Sequence, residues 1–203
     1  MNEKSEQLKL FLPEQSCQVE SLATSALLPP GHLYVKMIKK GRGRNMDYIH
    51  DLRKMIGPRK IILNCAGALI ICDDKILFQR RTDNGKWGLI GGLLEMNETY
   101  EEAALREIRE ETGLEVQLDS FLGIYHNHNM VWSNGDAAHV ISAYFTADIV
   151  SGEPRIDEES YELRFFGKDE IPELFAEDHI AVLEAFFRGT RYPLMQENKL
   201  QHR

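Results

Sequence analysis

The chain has 203 residues, of which 43% are hydrophobic, and it carries a formal net charge of −8. This length predicts one domain with extensions, and the apolar content is sufficient for a packed core. The negative charge argues against general nucleic-acid binding, because a phosphate backbone requires a basic surface. No apolar run is long enough to span a membrane and the amino terminus lacks a signal pattern, so we expect a cytoplasmic protein.

Residues 1–45 differ from the rest of the chain and are interpreted as an N-terminal extension or linker. They contain a Pro-Pro-Gly break and, at residues 39–44, a basic run. We favour a solvated linker for this run over an arm that binds phosphates. The run is also encodable by purine-rich codons resembling a bacterial ribosome-binding site, so Met46 is a candidate for the natural start.

The next segment predicts a short helix followed by a β-hairpin. Apolar residues recur at helical spacing over residues 47–55. Residues 61–72 are β-branched and apolar, Asp73-Asp74 supplies a turn, and residues 75–79 form a second strand. A polar loop then leads to the glycine pair at 91–92.

A second helix is predicted to begin after Thr99 and to end near Thr112. Thr99 is a suitable N-terminal cap, and Glu101 and Glu102 place negative charge at the positive end of the helix dipole. Gly113 follows the last helical residue, where a left-handed conformation commonly ends a helix.

This helix carries three carboxylates on one side. Glu107, Glu110 and Glu111 lie at positions i, i+3 and i+4, so their charges repel one another. The ordinary interpretation is a solvated acidic face, with Arg106 and Arg109 relieving part of the repulsion. The functional interpretation is that divalent cations bind between the carboxylate oxygens.

Two strands are predicted after this helix, at residues 114–125 and 139–149, with a turn at residues 134–136. His126 and His128 are expected in the loop between them. Two histidines at this spacing could hold a transition metal, but no third ligand is evident in the sequence. We therefore favour histidines that face solvent or line a pocket.

The last part of the chain predicts a strand at residues 162–167 and helices at residues 169–174 and 177–187. The second helix is amphipathic through Ile180, Leu183 and Phe187. Residues 189–203 are a polar tail that we expect to fray. The predicted domain therefore spans residues 46–188.

The spacing around the acidic helix favours the functional interpretation. Five residues separate Gly92 from Glu98, and seven more separate Glu98 from the run REIREETGL at residues 106–114. This spacing resembles the signature of the Nudix hydrolase family. The alternation of strands and helices predicts a mixed sheet covered on both faces. The resemblance implies the same: an α/β fold, specifically an α/β/α sandwich with a catalytic loop–helix–loop.

The resemblance also implies an activity and a cofactor. It implies a hydrolase that cleaves the pyrophosphate bond of a nucleoside diphosphate linked to another moiety, such as a dNTP or an NDP-sugar, with Mg²⁺ or Mn²⁺ required. The alternative is a catalytically silent module that senses nucleotides. Loss of signature glutamates would favour that alternative, and none is lost. A homodimer is expected by analogy alone.

Site residues follow from the resemblance, position by position. Glu110 and Glu111 would bind metal together with the Gly91 carbonyl, and Glu98 would support the loop or a second metal. Glu107 would be a further ligand or the general base. Arg106 would orient the glutamates by charge-assisted hydrogen bonds. The catalytic residues are therefore predicted to be Glu107, Arg106 and Glu110, and the alternative bases are Glu158, Glu159 and Glu162.

The substrate contacts are less determined. Arg81 is a candidate for binding phosphate, with a plain surface arginine as the equal alternative. Trp87 and Trp132 are candidates for stacking on a base, although either could anchor the core or a loop. Family members acting on ADP-ribose often carry a proline after the signature, and residues 114–133 contain none.

Overall fold

The computed structural model describes residues 48–132 and 134–194, apart from the side chain of His50. The predicted extension at 1–45, the candidate start at Met46 and residues 195–203 of the tail lie outside this part of the chain. No helix within the described residues is long and apolar enough to cross a membrane. The helices are α1 (Tyr48–Ile56), α2 (Tyr100–Thr112) and α3 (Glu177–Phe187). The strands are β1 (Ile61–Cys72), β2 (Lys75–Arg81), β3 (Trp87–Gly88), β4 (Ile90–Leu93), β5 (Leu114–Val131), β6 (Ala137–Gly152) and β7 (Ser160–Phe166).

The seven strands form one mixed sheet. Its main path runs β3-β2-β1-β6-β5, with β4 paired to β1 and β7 paired to β2. β1 and β6 are parallel, whereas the other pairs are antiparallel. The predicted β1–β2 hairpin is present, and both residues of its Asp73-Asp74 turn have positive φ, at 49° and 59°.

A helix covers each face of the sheet, as the sequence predicts. Alternate residues of a strand point to opposite faces, so β1 contributes to apolar clusters on both faces of the sheet. One packs α2 against the sheet and the other packs α3 against its opposite face. The α2 cluster includes Ala66, Ala68, Ile70, Ala104 and Ile108, and the α3 cluster includes Leu69, Phe78, Leu122, Val182 and Leu183.

The ends of α2 follow the predicted capping chemistry. The Thr99 hydroxyl accepts a hydrogen bond from the Glu102 backbone N–H at 3.2 Å, and the Glu102 carboxylate accepts one from the Thr99 N–H at 2.9 Å. Gly113 ends the helix in the left-handed region, with φ at 72°. Reciprocal capping of this kind satisfies backbone donors that a helix start otherwise leaves unpaired.

The prediction that His126 and His128 lie in a loop is wrong. Both belong to β5, which continues to Val131 and pairs with β6 as far as Ala137. The polar residues of this stretch hid the strand, because its exposed face carries no apolar alternation. The strands continue because their backbones pair as far as Val131 and Ala137, and Met130 of β5 packs with Ala138 and Val140 of β6 in a third apolar cluster.

Three predictions about the C-terminal part also need correction. Residues 168–170 form only a short 3₁₀ turn, because Ile171 precedes a proline and adopts an extended conformation. On α3, Ile180 is 48% exposed, while Asp178 and His179 are buried. The beginning of the predicted tail is held against the sheet, because the backbone of Tyr192 exchanges hydrogen bonds of 2.8 and 2.9 Å with the backbone of Phe121.

Candidate active site

The signature helix and the glycine pair meet at an open cleft of about 710 Å³. One side of the cleft is acidic, and it is formed by α2 and by the chain around β4. Residues of β6 and the start of α3 also line the cleft, together with residues of α1, β1 and the β5–β6 hairpin. The pairing of β4 with β1 explains this arrangement, because it places Gly91 opposite Gly67 in the sheet, beside α2.

Arg106 joins the glutamates of the signature into one network. Its Nε and Nη2 donate to the two carboxylate oxygens of Glu98 at 2.7 and 3.0 Å. Nη1 donates to Glu107 at 2.8 Å and to Glu110 at 3.2 Å, and Nη2 also donates to the Leu93 carbonyl at 3.0 Å. A guanidinium presents its donors in a fixed fork, so these contacts fix the relative positions of the acidic side chains.

The carboxylates around Arg106 stabilise its positive charge. Burial alone lowers the pKa of Arg106, but Glu98 and Glu107 outweigh that effect and raise it overall. Both oxygens of Glu98 accept from Arg106, and one also accepts from the Glu95 N–H at 3.0 Å. Glu98 therefore bonds to both the loop and Arg106, and its predicted role in supporting the loop or a second metal stays a prediction.

Glu111 lies in the interior behind the acidic wall. Its Oε2 accepts hydrogen bonds from the Gln79 side chain at 3.0 Å and from the Gly91 N–H at 3.2 Å. Burial, and then the charge of Glu107, raise the pKa of Glu111 to about 8. The carboxyl therefore binds a proton readily unless another positive charge replaces it.

Gln79 is a site residue that the sequence analysis missed. It is buried in β2, where its Oε1 accepts a 2.6 Å hydrogen bond from the Ser160 hydroxyl while its amide nitrogen donates to Glu111. The available signal was a lone amide following the apolar run Ile-Leu-Phe in a strand. A buried amide needs hydrogen-bond partners, so such a residue indicates a polar group nearby.

Glu107 packs against the glycine loop. A Cβ at position 92 would collide with the Glu107 carboxylate, so Gly92 permits this close approach. Burial raises the pKa of Glu107 although Arg106 opposes that shift, and the charges of Glu110 and Glu159 raise it further. Glu107 and Glu111, the two carboxyls with raised pKa values, lie one turn apart on α2, where Arg106 bonds to Glu107 and the charge of Arg81 acts on Glu111.

The residues present fit a divalent cation of the Mg²⁺ or Mn²⁺ kind. The donor set consists of carboxylates, which are the ligands that hard cations prefer. Burial raises the pKa values of Glu107 and Glu111, and neighbouring carboxylates add to the shift, so the site buries an excess of negative charge. A cation held by Glu107, Glu110 and Glu111 would offset that excess and keep the carboxylates ionised.

The structure separates the two tryptophans predicted to contact substrate. Trp132 lines the cleft and also packs against the apolar cluster of Leu63, Ala138 and Val140. Trp87 lies outside the cleft lining, where its ring packs edge-on against Phe166 at a centroid distance of 4.9 Å and its backbone forms an isolated bridge with Leu174. The substrate contacts predicted for both tryptophans stay predictions.

Arg81 reaches the cleft but already has protein partners. Its guanidinium donates to both carboxylate oxygens of Asp83, at 2.9 and 3.2 Å, and lies 4.9 Å from the centre of the Phe175 ring. These contacts hold the side chain at the cleft wall, where its position is fixed before any ligand binds.

The three downstream glutamates also differ in position. Glu159 lines the cleft and contributes to the electrostatic field at Glu107. Glu162 forms an ion pair with Arg164 on β7, and Glu158 is exposed outside the cleft lining. The described residues thus bring one of these three candidates to the acidic wall.

The cleft lining also contains buried polar groups that the sequence analysis did not single out. Asp178 accepts hydrogen bonds from the Ser142 hydroxyl at 3.2 Å and from the Asn127 amide at 3.4 Å. His179 Nδ1 accepts from the Leu89 N–H at 3.2 Å. Burial lowers the pKa of His179 to about 4, so its ring is neutral with the proton on Nε2. Helical spacing from Val182 and Leu183 was the available signal for a buried His179.

The NUDIX domain model matches residues 63–186, and the chain belongs to the Nudix hydrolase family. It is 38% identical to an ADP-ribose pyrophosphatase of Methanocaldococcus jannaschii, over 57% of this chain and 68% of that protein. It is 32% identical to a MutT-like protein of Streptomyces ambofaciens, over 68% of this chain and 85% of that protein. A NUDIX hydrolase structure from Nitrosomonas europaea superposes with a TM-score of 0.58 at 28% identity, over 66% of this chain and 95% of that one.

These comparisons confirm the family, the sandwich fold and the enzyme class predicted from the sequence. The chain is a Nudix pyrophosphohydrolase, and the family acts on small nucleotide substrates with divalent metal ions.

Proposed function

We propose that this protein cleaves the pyrophosphate bond of a nucleoside diphosphate linked to another moiety, by attack of water on phosphorus with Mg²⁺ or Mn²⁺ bound. The observation that carries the proposal is that Glu107, Glu110 and Glu111 line one cleft, where the guanidinium of Arg106 bonds to Glu107 and Glu110 and the Gly91 N–H bonds to Glu111. A cytoplasmic location is part of the same proposal.

The reaction requires water to approach a phosphorus atom surrounded by anionic oxygens. A bound divalent ion neutralises that charge and favours deprotonation of the attacking water. Glu110 and Glu111 would hold the ion, with the Gly91 carbonyl as a further ligand. Arg106 already bonds to Glu107 and Glu110, so its role is to position the carboxylates rather than to bind substrate.

Glu107 is our proposed general base, and Glu159 is the alternative. Glu107 has a raised pKa and lies against the glycine loop within the acidic wall. A raised pKa suits a base, because proton transfer is most efficient when the pKa approaches the working pH. Glu159 shares the cleft but is exposed on a loop.

Substrate recognition would use cleft-lining residues outside the signature. Trp132 provides a flat surface on which a nucleobase could stack. The Nε2–H of neutral His179 is a donor, while Arg81 supplies positive charge for a phosphate. Similarity to a protein named ADP-ribose pyrophosphatase favours a nucleoside diphosphate linked to a sugar, although the proline common in such enzymes is absent.

The test is product release from a panel of dNTPs, nucleoside diphosphate sugars, ADP-ribose and dinucleoside polyphosphates with Mg²⁺ or Mn²⁺. We expect turnover that chelation abolishes and that Glu110→Gln lowers by about 100-fold or more. The matched control is Glu115→Gln, an exposed glutamate outside the cleft, which retains activity. Absence of turnover on all substrates, with nucleotide binding intact in the folded protein, would favour the catalytically silent sensing module.

A further inference from the structure

We infer that His126, His128 and His139 form a binding site for a transition-metal ion, and that the ion bound under physiological conditions is Zn²⁺. A ring nitrogen from each histidine lies within 4.8 Å of a ring nitrogen from each of the others. The first two belong to β5 and the third to β6. We call these residues the three-histidine cluster.

The pairing of β5 with β6 brings His139 next to His126 and His128. Asn127 lies opposite Val140 and Met130 lies opposite Ala138, so His139 faces residues 128–129, where the register shifts. His126 and His128 are two residues apart and therefore share one face of β5. The sequence separates His128 and His139 by eleven positions, and only the pairing of β5 with β6 brings them together.

The geometry is close to that of a three-histidine zinc site. His126 Nδ1 and His139 Nε2 are 3.0 Å apart, whereas two ligand nitrogens around tetrahedral zinc are separated by about 3.3 Å. The ring of His128 lies 4.4 Å from that of His139 and 5.6 Å from that of His126, measured between centroids. Small side-chain rotations would bring all three nitrogens onto one ion. The fourth position would take water, because two of the side chains are exposed.

The cluster is separate from the acidic cleft. Asn127, between the first two histidines, bonds to Asp178 at the cleft, and Val140 and Ser142 line it. Alternation along both strands therefore directs the histidines to the other face of the hairpin. The donor types differ as well: imidazole nitrogens favour zinc, nickel and copper over magnesium, whereas carboxylates favour magnesium and manganese.

A metal ion at this position would cross-link β5 and β6 just before the tip of their hairpin. That tip carries Trp132 and Asp136, which line the cleft. Asp136 also forms an ion pair of 3.5 Å with Arg53 of α1. Zinc would therefore stabilise the segment that presents Trp132, without taking part in the chemistry at the glutamates.

The experiment is equilibrium dialysis of the tag-free, full-length protein against Zn²⁺ with excess Mg²⁺, which occupies carboxylate sites. We expect one equivalent of zinc, with changed ring ¹⁵N signals for the cluster histidines. His139→Asn and, separately, His126→Asn should weaken zinc binding by about 100-fold or more, since losing a direct ligand costs at least as much as losing an outer-shell partner. Asn129→Ser, an exposed change on the same hairpin, should bind zinc as the unmodified protein does.

Thermal unfolding gives a second readout. Zinc should raise the unfolding temperature of the unmodified protein and of Asn129→Ser but leave both histidine variants unchanged, because stabilisation requires binding to the folded state. The inference is overturned if no zinc binds beside Mg²⁺, or if the folded histidine variants retain the affinity. A zinc equivalent that survives in both histidine variants but disappears in Glu110→Gln would assign the ion to the acidic cleft instead.

Discussion

Gln79 donates a 3.0 Å hydrogen bond to Glu111 in the interior beside the cleft, and this contact joins β2 to the signature helix. The same amide accepts from Ser160 on β7. A carboxyl at the end of the signature helix is thus held by two strands that lie far from it in sequence. Because this carboxyl is buried, its pKa is raised to about 8.

The first prediction concerns stability without divalent ions. The pKa of Glu111 is raised in the folded state from 4.5 to about 8. Between these values the folded protein holds a proton that the unfolded chain releases, so the free energy of unfolding falls as the pH rises, by up to about 1.4 kcal/mol per pH unit. The decrease is complete above the folded-state pKa.

Denaturant titrations in chelator across this pH range measure the effect. Glu111→Gln, which has no proton to lose, should show a flatter profile than the unmodified protein. Saturating Mg²⁺ should flatten the unmodified profile too, because the cation replaces the proton. Parallel profiles for the two proteins would show that Glu111 does not carry the pH dependence.

Arg106→Lys should lower kcat and weaken metal binding by roughly 10- to 100-fold. Lysine keeps the charge but cannot reproduce the fork that contacts Glu98, Glu107 and Glu110 at once. Steady-state kinetics across a Mg²⁺ titration give both quantities. Arg109→Lys on the same helix is the matched control, and an equal loss in that variant would argue against a specific role for Arg106.

Gly92→Ala should reduce activity while leaving the protein folded. The added Cβ would meet the Glu107 carboxylate, which must move away from the acidic wall. We expect a loss of about 10-fold or more in kcat/KM, because small displacements of catalytic groups are costly. Gly167→Ala, whose Cβ would lie 3.3 Å from the exposed Glu170 carboxylate, should retain activity.

Glu107→Gln and Glu159→Gln distinguish the two candidate bases. A general base contributes about 10²- to 10⁴-fold to the rate. We therefore expect Glu107→Gln to lower kcat by an amount in that range at saturating Mg²⁺, and to remove the acidic limb of the pH–rate profile. Glu158→Gln controls for the change of loop charge. A larger loss and an altered profile in Glu159→Gln would move the assignment to that residue.

Trp132→Ala should raise KM for the nucleotide by roughly 10-fold with a smaller change in kcat, since stacking on a base contributes about 1–3 kcal/mol. Trp132→Phe, which keeps an aromatic face, should recover much of the affinity. Trp87→Phe tests the other tryptophan, whose ring packs on Phe166 away from the cleft lining. That variant should lose stability and leave KM unchanged.

The sequence by itself determined the local chemistry of the site. Thr99 and Gly113 set the ends of α2, and the helical repeat then placed Glu107, Glu110 and Glu111 on one side. These features depend on neighbours within a few positions, where capping and periodicity apply directly. The family and the sandwich fold followed from the same short stretch and from the order of the strands.

Only the tertiary structure decided which residues distant in sequence lie together at the cleft, behind it and in the three-histidine cluster. Gln79 reaches Glu111 from another strand, Trp132 and not Trp87 lines the cleft, and His139 joins His126 through the pairing of β5 with β6. A one-residue change of register would turn these side chains to the opposite face of the sheet. Register depends on packing over the whole sheet, so no local pattern in the sequence specifies it.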